Sequence, residues 1–250
     1  VGVGDHDVVP SFADGFEVGA LDVVPVAHVV AQQQRGLVTC PQCGSAEVDK
    51  APMAPAVPAK GNQREPAASV IACSNETNAH HLQDMCATPY FRPYTSTDVI
   101  GCELAGSIKN VMALAVGMAI GLGMGDNTKA TVITRGLAET ARLGVAMGAD
   151  PSTFAGLAGM GDLVATCSSP LSRNRSVGEL LGRGSTMDQA RAITKTTAEG
   201  VSSAPAVLAL AQKFQVDMPI VEAVVDVVQN SLPPAEVVKR LMNRTTRSEY

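Results

Sequence analysis

The sequence contains no tryptophan and few other aromatic rings, three Tyr and five Phe, which excludes a surface built to stack nucleic-acid bases. Positive charge is also scarce, 19 Lys and Arg against 24 Asp and Glu for a net charge of −5, so a broad basic face for phosphate backbones is absent and nucleic acid is not an expected partner. No apolar run reaches the roughly 18–20 residues of a membrane span. The most apolar stretch, Val111 to Met124, is short and broken by glycines, and no membrane insertion is expected. The first residues lack a basic flank, an apolar core and a small-residue cleavage site; no secretory signal is expected, the cytoplasm is the expected location, and Val1 suggests a start further upstream. Among the six cysteines only Cys40 and Cys43 are closely spaced. The remaining Cys73, Cys86, Cys102 and Cys167 sit singly among apolar or small residues, as buried reduced thiols do. Cys40-Pro-Gln-Cys43-Gly44 is half of a zinc ribbon without its second pair, so no metal site is expected.

What the chain does contain is a globular composition, 46% hydrophobic and 17% charged, in 250 residues, enough for one large domain or two modest ones. Its character changes near residue 64. Before that point Pro10, Pro25, Pro41, Pro52, Pro55 and Pro58 forbid long helices, and residues 1–64 carry no clear fold signal and read as irregular. Residues 65–96 read as strand, helix and strand: Ala67 to Cys73, Glu76 to Cys86 and Phe91 to Thr95, the end of an α/β unit. From Thr97 the period becomes helical, with Leu104, Ile108, Val111, Met112, Ala115, Met118, Ala119 and Leu122 on one broad stripe. Asn127 or Thr128 is the expected cap of a second helix to about Met147. Asp150 with Pro151 opens a third, and Thr186 caps Met187 to Thr194. Further helical windows span 204–214, 220–229 and 234–242, so residues 97–250 read as one all-helical domain.

Four features in that domain carry chemistry, each beside a plainer reading. Lys109 lies within the apolar stripe, next to Gly106, Ser107 and Asn110, where partial desolvation suits an amine to proton transfer; a lysine snorkelling to solvent explains the same spacing. Asp162, in Gly159-Met160-Gly161-Asp162-Leu163, is a carboxylate at a turn that can orient a lysine or hold a hydroxyl, or simply cap a helix. Ser172-Arg173-Asn174-Arg175 follows Pro170 and suits a phosphate grip, or forms an exposed basic turn. Glu199-Gly200-Val201 places a carboxylate beside a glycine, where ribose hydroxyls can be received.

The order of these strings is more telling than any one of them. Gly106-Ser-Ile-Lys109-Asn110, Gly121-Leu-Gly-Met-Gly-Asp-Asn127, Thr134-Arg-Gly-Leu-Ala-Glu139, Gly156-Leu-Ala-Gly-Met-Gly-Asp162 and Ser172-Arg-Asn-Arg175 together resemble the substrate domain of bacterial NAD(P)-dependent glycerol-3-phosphate dehydrogenases. The resemblance runs from about Ala67 through Glu249 and includes Thr88-Pro-Tyr-Phe-Arg-Pro-Tyr94 and Leu241-Met-Asn-Arg244. It implies a mainly α fold: a multi-helical, 6-phosphogluconate-dehydrogenase-like C-terminal domain preceded by a remnant of an α/β Rossmann domain. It further implies hydride transfer between sn-glycerol 3-phosphate and NAD or NADP, giving dihydroxyacetone phosphate for glycerophospholipid synthesis, in an enzyme that can form a homodimer. By residue, Lys109 matches the family's proton acceptor, with Asn110, Asp162 and Thr166 as its companions in the substrate site. Ser172, Arg173 and Asn174 match the phosphate and substrate grip. Arg173, Thr197 and Glu199 match cofactor-contacting positions.

The match stops just before Arg64. The family's glycine-rich turn, which lays pyrophosphate on a helix N-terminus, has no counterpart, because Gly2-Val-Gly4 lacks a preceding strand and a third glycine. Lys60-Gly61 and Pro10-Ser-Phe-Ala13 resemble family elements in reversed order. A truncated or frame-shifted replacement of the Rossmann domain is the expected origin of residues 1–64, and an inactive fragment is the alternative function. A dehydrogenase of hydroxy acids and an N-terminal zinc-ribbon module are the remaining readings.

Overall fold

The computed structural model describes residues 67–194 and 198–244. Expectations for residues 1–64, Cys40 and Cys43 among them, and for Thr197, lie outside that range. Two parallel strands come first, β1 (Ala67–Ala72) and β2 (Phe91–Ser96), paired in register from Ala67 with Phe91 to Ala72 with Ser96. Helix α1 (Glu76–Cys86) connects them, and the Asn75 side chain caps it by accepting the Asn78 N–H. The crossover is the βαβ unit expected for this segment.

Helix α2 (Val99–Gly121) is the axis of everything that follows. Asp98 caps it, and its apolar stripe, with Ile108, Val111, Met112 and Leu114 fully buried, lies at the centre of the main core. By length and composition α2 could cross a membrane. That corrects the expectation that no run here is long enough. The stretch is mostly buried inside the protein, as the central helix of a bundle must be.

Around it lie α3 (Asp126–Ala146), α4 (Pro151–Ala155), a short π-helical turn (Leu157–Gly161), α5 (Asp162–Ser168), α6 (Arg173–Gly182), α7 (Met187–Thr194), α8 (Glu199–Lys213), α9 (Pro219–Asn230) and α10 (Pro234–Met242). The closest packing is between α2 and α6. A Cβ on Gly117 or Gly121 would overlap the Arg175 or Glu179 carbonyl oxygen, and one on Gly178 or Gly182 would overlap that of Leu114 or Met118. Glycines on both faces let the two backbones touch, which no larger side chain permits.

Several sequence expectations need correction. Helix α3 is capped by Gly125, so Asn127 and Thr128 already lie in its first turn, where Asp126 meets the positive end of the helix and pairs with Lys129. Helix α8 starts at Glu199 rather than Ala204 and carries Pro205 in its interior. The Ser172–Arg175 cluster is a helix start rather than a turn, with the Ser172 hydroxyl accepting the Arg175 N–H. Asp162 likewise opens α5 directly after the π-helical turn. Cys73, Cys86, Cys102 and Cys167 are unbridged, but Cys86 is exposed rather than buried. Burial does set the chemistry of Cys167, whose thiol pKa is pushed up to about 12.

Candidate active site

The site forms where α2, α5, α6 and α8 converge. Lys109 and Asn110 lie midway along α2 and are both partly buried. The Lys109 ammonium forms a short ion pair with Asp162 Oδ2, and Thr166, one turn along α5, donates its hydroxyl to Asp162 Oδ1 at 3.3 Å. Helical spacing puts Thr166 on the same face as Asp162. The carboxylate is therefore held from two sides and aimed at the amine.

A second network starts from Asn174, 7% exposed near the start of α6. Its carbonyl accepts the Gly200 N–H at 2.9 Å and its amide donates to Asn110 Oδ1 at 3.0 Å. Asn110 in turn donates to Glu199 Oε2 at 3.2 Å. Arg173 approaches the other Glu199 oxygen at 3.6 Å, and both of these side chains are more than half exposed. Gly200 has to be a glycine at this crossing, since a Cβ there would overlap the Asn110 carbonyl. Neighbouring Arg175 turns the other way, donating to the Ser169 carbonyl at 3.3 Å and lying 3.8 Å from Glu179. Arg173 is therefore the arginine of the pair that reaches solvent, and it does so at the positive end of a ten-residue helix, a setting that favours anions.

Thus the structure brings Lys109, Asp162 and Thr166 into one network and Asn110, Arg173, Asn174 and Glu199 into another, the two meeting at the adjacent Lys109 and Asn110 of α2, with Ser172 capping the helix that carries Arg173. Chemically this joins an amine with an ion-pair partner to an anion-attracting helix start. Glu139, which ends the Thr134–Glu139 string, has a role of its own that the string does not reveal. It is 2% exposed, and its carboxylate accepts the Ile220 N–H at 2.9 Å and the Val221 N–H at 3.4 Å, tying α3 to the start of α9. Burial raises its pKa to about 7, against the opposing pull of those two N–H groups and of Arg142, with nearby Asp217 adding to the rise. Its helical spacing from Gly136, Thr140 and Leu143, which share the buried face of α3, was the available signal.

The fold is that of a mainly helical domain behind a small parallel sheet. Residues 98–239 match the family described as NAD-dependent glycerol-3-phosphate dehydrogenase C-terminus. Relatives include the glycerol-3-phosphate dehydrogenase [NAD(P)+] of Streptomyces avermitilis, 61% identical over 186 residues that cover 74% of this chain and 55% of the relative. The enzyme of that name from Frankia casuarinae is 49% identical over 252 residues, 99% of this chain and 71% of the relative, which corrects the expectation that the resemblance stops just before Arg64. Among solved structures, glycerol-3-phosphate dehydrogenase of Coxiella burnetii superposes with a TM-score of 0.70 at 39% identity, covering 72% of this chain and 56% of that one. The chain belongs to the glycerol-3-phosphate dehydrogenase family and spans about half the length of the first relatives it matches. A second family, described as a protein of unknown function (DUF1178), matches residues 26–116, a stretch that takes in Cys40 and Cys43.

Proposed function

We propose that residues 97–250 are the substrate-binding and catalytic domain for interconverting sn-glycerol 3-phosphate and dihydroxyacetone phosphate, and residues 65–96 the end of a Rossmann domain. The observation that carries this is the Lys109–Asp162 pair standing in one site with Arg173 at a helix N-terminus. Oxidising a secondary alcohol needs a base at the hydroxyl and positive charge at the oxygen as the carbonyl forms; one amine serves both needs in turn. In reduction the Lys109 ammonium, ion-paired with Asp162, donates its proton to the ketone oxygen, and in oxidation the neutral amine accepts the hydroxyl proton; Asp162 and Thr166 hold the amine in place, and Asn110 and Asn174 frame the substrate. Arg173, the free donor capacity of the Ser172 hydroxyl and the α6 dipole hold the phosphate. Fixing that remote group also sets the position of the reacting carbon, so it contributes to rate as well as affinity.

NAD or NADP is the expected cofactor, and the described residues fit one edge of it. Exposed Glu199 and Arg173 present a carboxylate for ribose hydroxyls and a cation beside it, with Thr197 two residues before Glu199. The pyrophosphate finds no cradle among the described residues: after β1 the chain enters α1 through Cys73-Ser74-Asn75, with acidic Glu76 in the first turn. When bound, the nicotinamide supplies the two-electron acceptor. Cytoplasmic location, supply of glycerophospholipid synthesis and homodimer formation belong to the same proposal.

A second reading is a chain that binds the phosphate ester without turning it over. Dihydroxyacetone phosphate mixed with the chain and NADH or NADPH separates the two. Loss of reduced-nicotinamide absorbance that disappears in Lys109→Ala supports turnover. Binding of the ester with neither cofactor oxidised supports the second reading, and an unchanged rate in Lys109→Ala would remove the lysine from its role as base.

A further inference from the structure

Glycines inside the described helices lie, with two exceptions, against close neighbours that an added Cβ would overlap. At Gly117, Gly136, Gly144, Gly159 and Gly178, for example, an added Cβ would overlap a neighbouring carbonyl or side chain. The exceptions are Gly106 and Gly161. Around Gly106, its own helix backbone aside, no atom lies within 4 Å of the place a Cβ would occupy, although the residue is only partly exposed. At Gly161, which is exposed, the nearest such atom is Leu157 Cδ2 at 3.5 Å, an ordinary contact, and its backbone is regular right-handed helix. Neither glycine has a positive φ. Each weakens its helix relative to alanine, and nothing in the described chain requires either.

Both flank the same ion pair. Gly106 precedes Lys109 by three residues and Asn110 by four, which places it on their helix face. Side chains on a helix lean toward its N-terminus, so Lys109 leans over the turn that holds Gly106. Gly161 immediately precedes Asp162. The open space at Gly106 thus lies one helical turn from the amine, and exposed Gly161 stands next to the carboxylate assigned to chemistry above.

We propose that Gly106 is the floor of the subsite for the reacting carbon, with Gly161 as its second wall, so that the bare backbone sets the size of group admitted beside Lys109. The ligand class is a small phosphorylated alcohol or ketone whose carbon skeleton lies on the Gly106 backbone while its phosphate reaches Arg173. This rests on the substrate reading given above. It adds a pair of specificity-determining positions that take no part in the chemistry themselves.

Calorimetric titration of the full chain with glycerol 3-phosphate and, separately, inorganic phosphate tests it, with thermal unfolding run alongside. Gly106→Ala and Gly106→Leu both introduce good helix formers into open space. Expected are a raised melting temperature for Gly106→Ala, affinity for glycerol 3-phosphate at least fivefold weaker in that variant and lost in Gly106→Leu, and unchanged affinity for inorganic phosphate. Equal glycerol 3-phosphate affinity in all three proteins overturns the proposal while leaving the substrate reading intact. Equal loss of both ligands also overturns it, since that marks a displaced Arg173 cluster. No glycerol 3-phosphate binding by the unaltered chain overturns the substrate reading and this proposal together.

Discussion

Lys109 and Asp162 are 53 residues apart in the chain and meet in one ion pair, so removing either partner leaves a partly buried charge without its counterion. Lys109→Met should lower turnover of dihydroxyacetone phosphate by roughly a hundredfold to ten-thousandfold, with affinity for the ester changed much less because Arg173 holds the phosphate. Steady-state kinetics with kcat and KM resolved checks this, and a loss confined to KM would contradict it. Glu139 makes a different prediction. Its folded pKa of about 7 lies above the ordinary value of 4.5, so the folded protein holds a proton that the unfolded chain has released between those values. The resulting stability is complete below pH 4.5 and is lost as the pH rises through 7, amounting to on the order of 3 kcal/mol. Glu139→Gln keeps an acceptor for the Ile220 N–H and should flatten that slope in urea unfolding measured across the same range. An unchanged slope would assign the pH dependence to other groups. In the sequence Lys109 stood out as a charge inside an apolar stripe. Glu139 did not, because its meaning depends on where the start of α9 docks, 81 residues away.

The α2–α6 contact shows why some elements were legible and others were not. Helix α2 announces itself through uninterrupted apolar spacing, and α10 was read with its observed bounds, 234–242. Helices α5 and α6 give no helical window of their own because glycine, proline and polar residues crowd their starts, leaving Asp162 between a turn and a cap and Ser172–Arg175 between a phosphate grip and a basic turn; a local reading cannot tell a glycine that bends the chain from one that lets two helices touch. Ser172 was the available clue, since a serine opening a polar run is a common N-cap. Backbone contact at these glycines also carries a stability prediction. Gly178→Ala puts a methyl group into the Leu114 carbonyl, where neither helix can yield without shifting. A loss of about 1–3 kcal/mol in chemical unfolding is expected, together with weaker phosphate-ester binding, because the same shift moves Arg173 relative to Lys109. Full stability in that variant would contradict the close packing. The π-helical turn before Asp162 had no sequence signature beyond its glycines. Gly159 lies against the Phe154 backbone, so at that position the expectation of glycines opened for a ligand gives way to internal packing.

At the scale of the whole molecule, the family and its mainly helical fold were readable because the motifs are local strings in a fixed order. The geometry linking them was not, since it arises from contacts between distant helices such as Asn174 with Gly200 and Asn110. On the proposed reading the described residues supply contacts for the phosphate ester and one edge for a dinucleotide. Glycerol 3-phosphate should therefore bind with little help from NAD or NADP, and its affinity should change only slightly when either dinucleotide is added; a large mutual enhancement would show that the chain holds the cofactor as well. The most direct measurement is calorimetric titration of dihydroxyacetone phosphate into the full chain and into Arg173→Ala. A saturable one-to-one isotherm for the unaltered protein, weakened at least tenfold by Arg173→Ala, is expected from a phosphate held at the α6 N-terminus. No binding, or equal binding by both proteins, would contradict it.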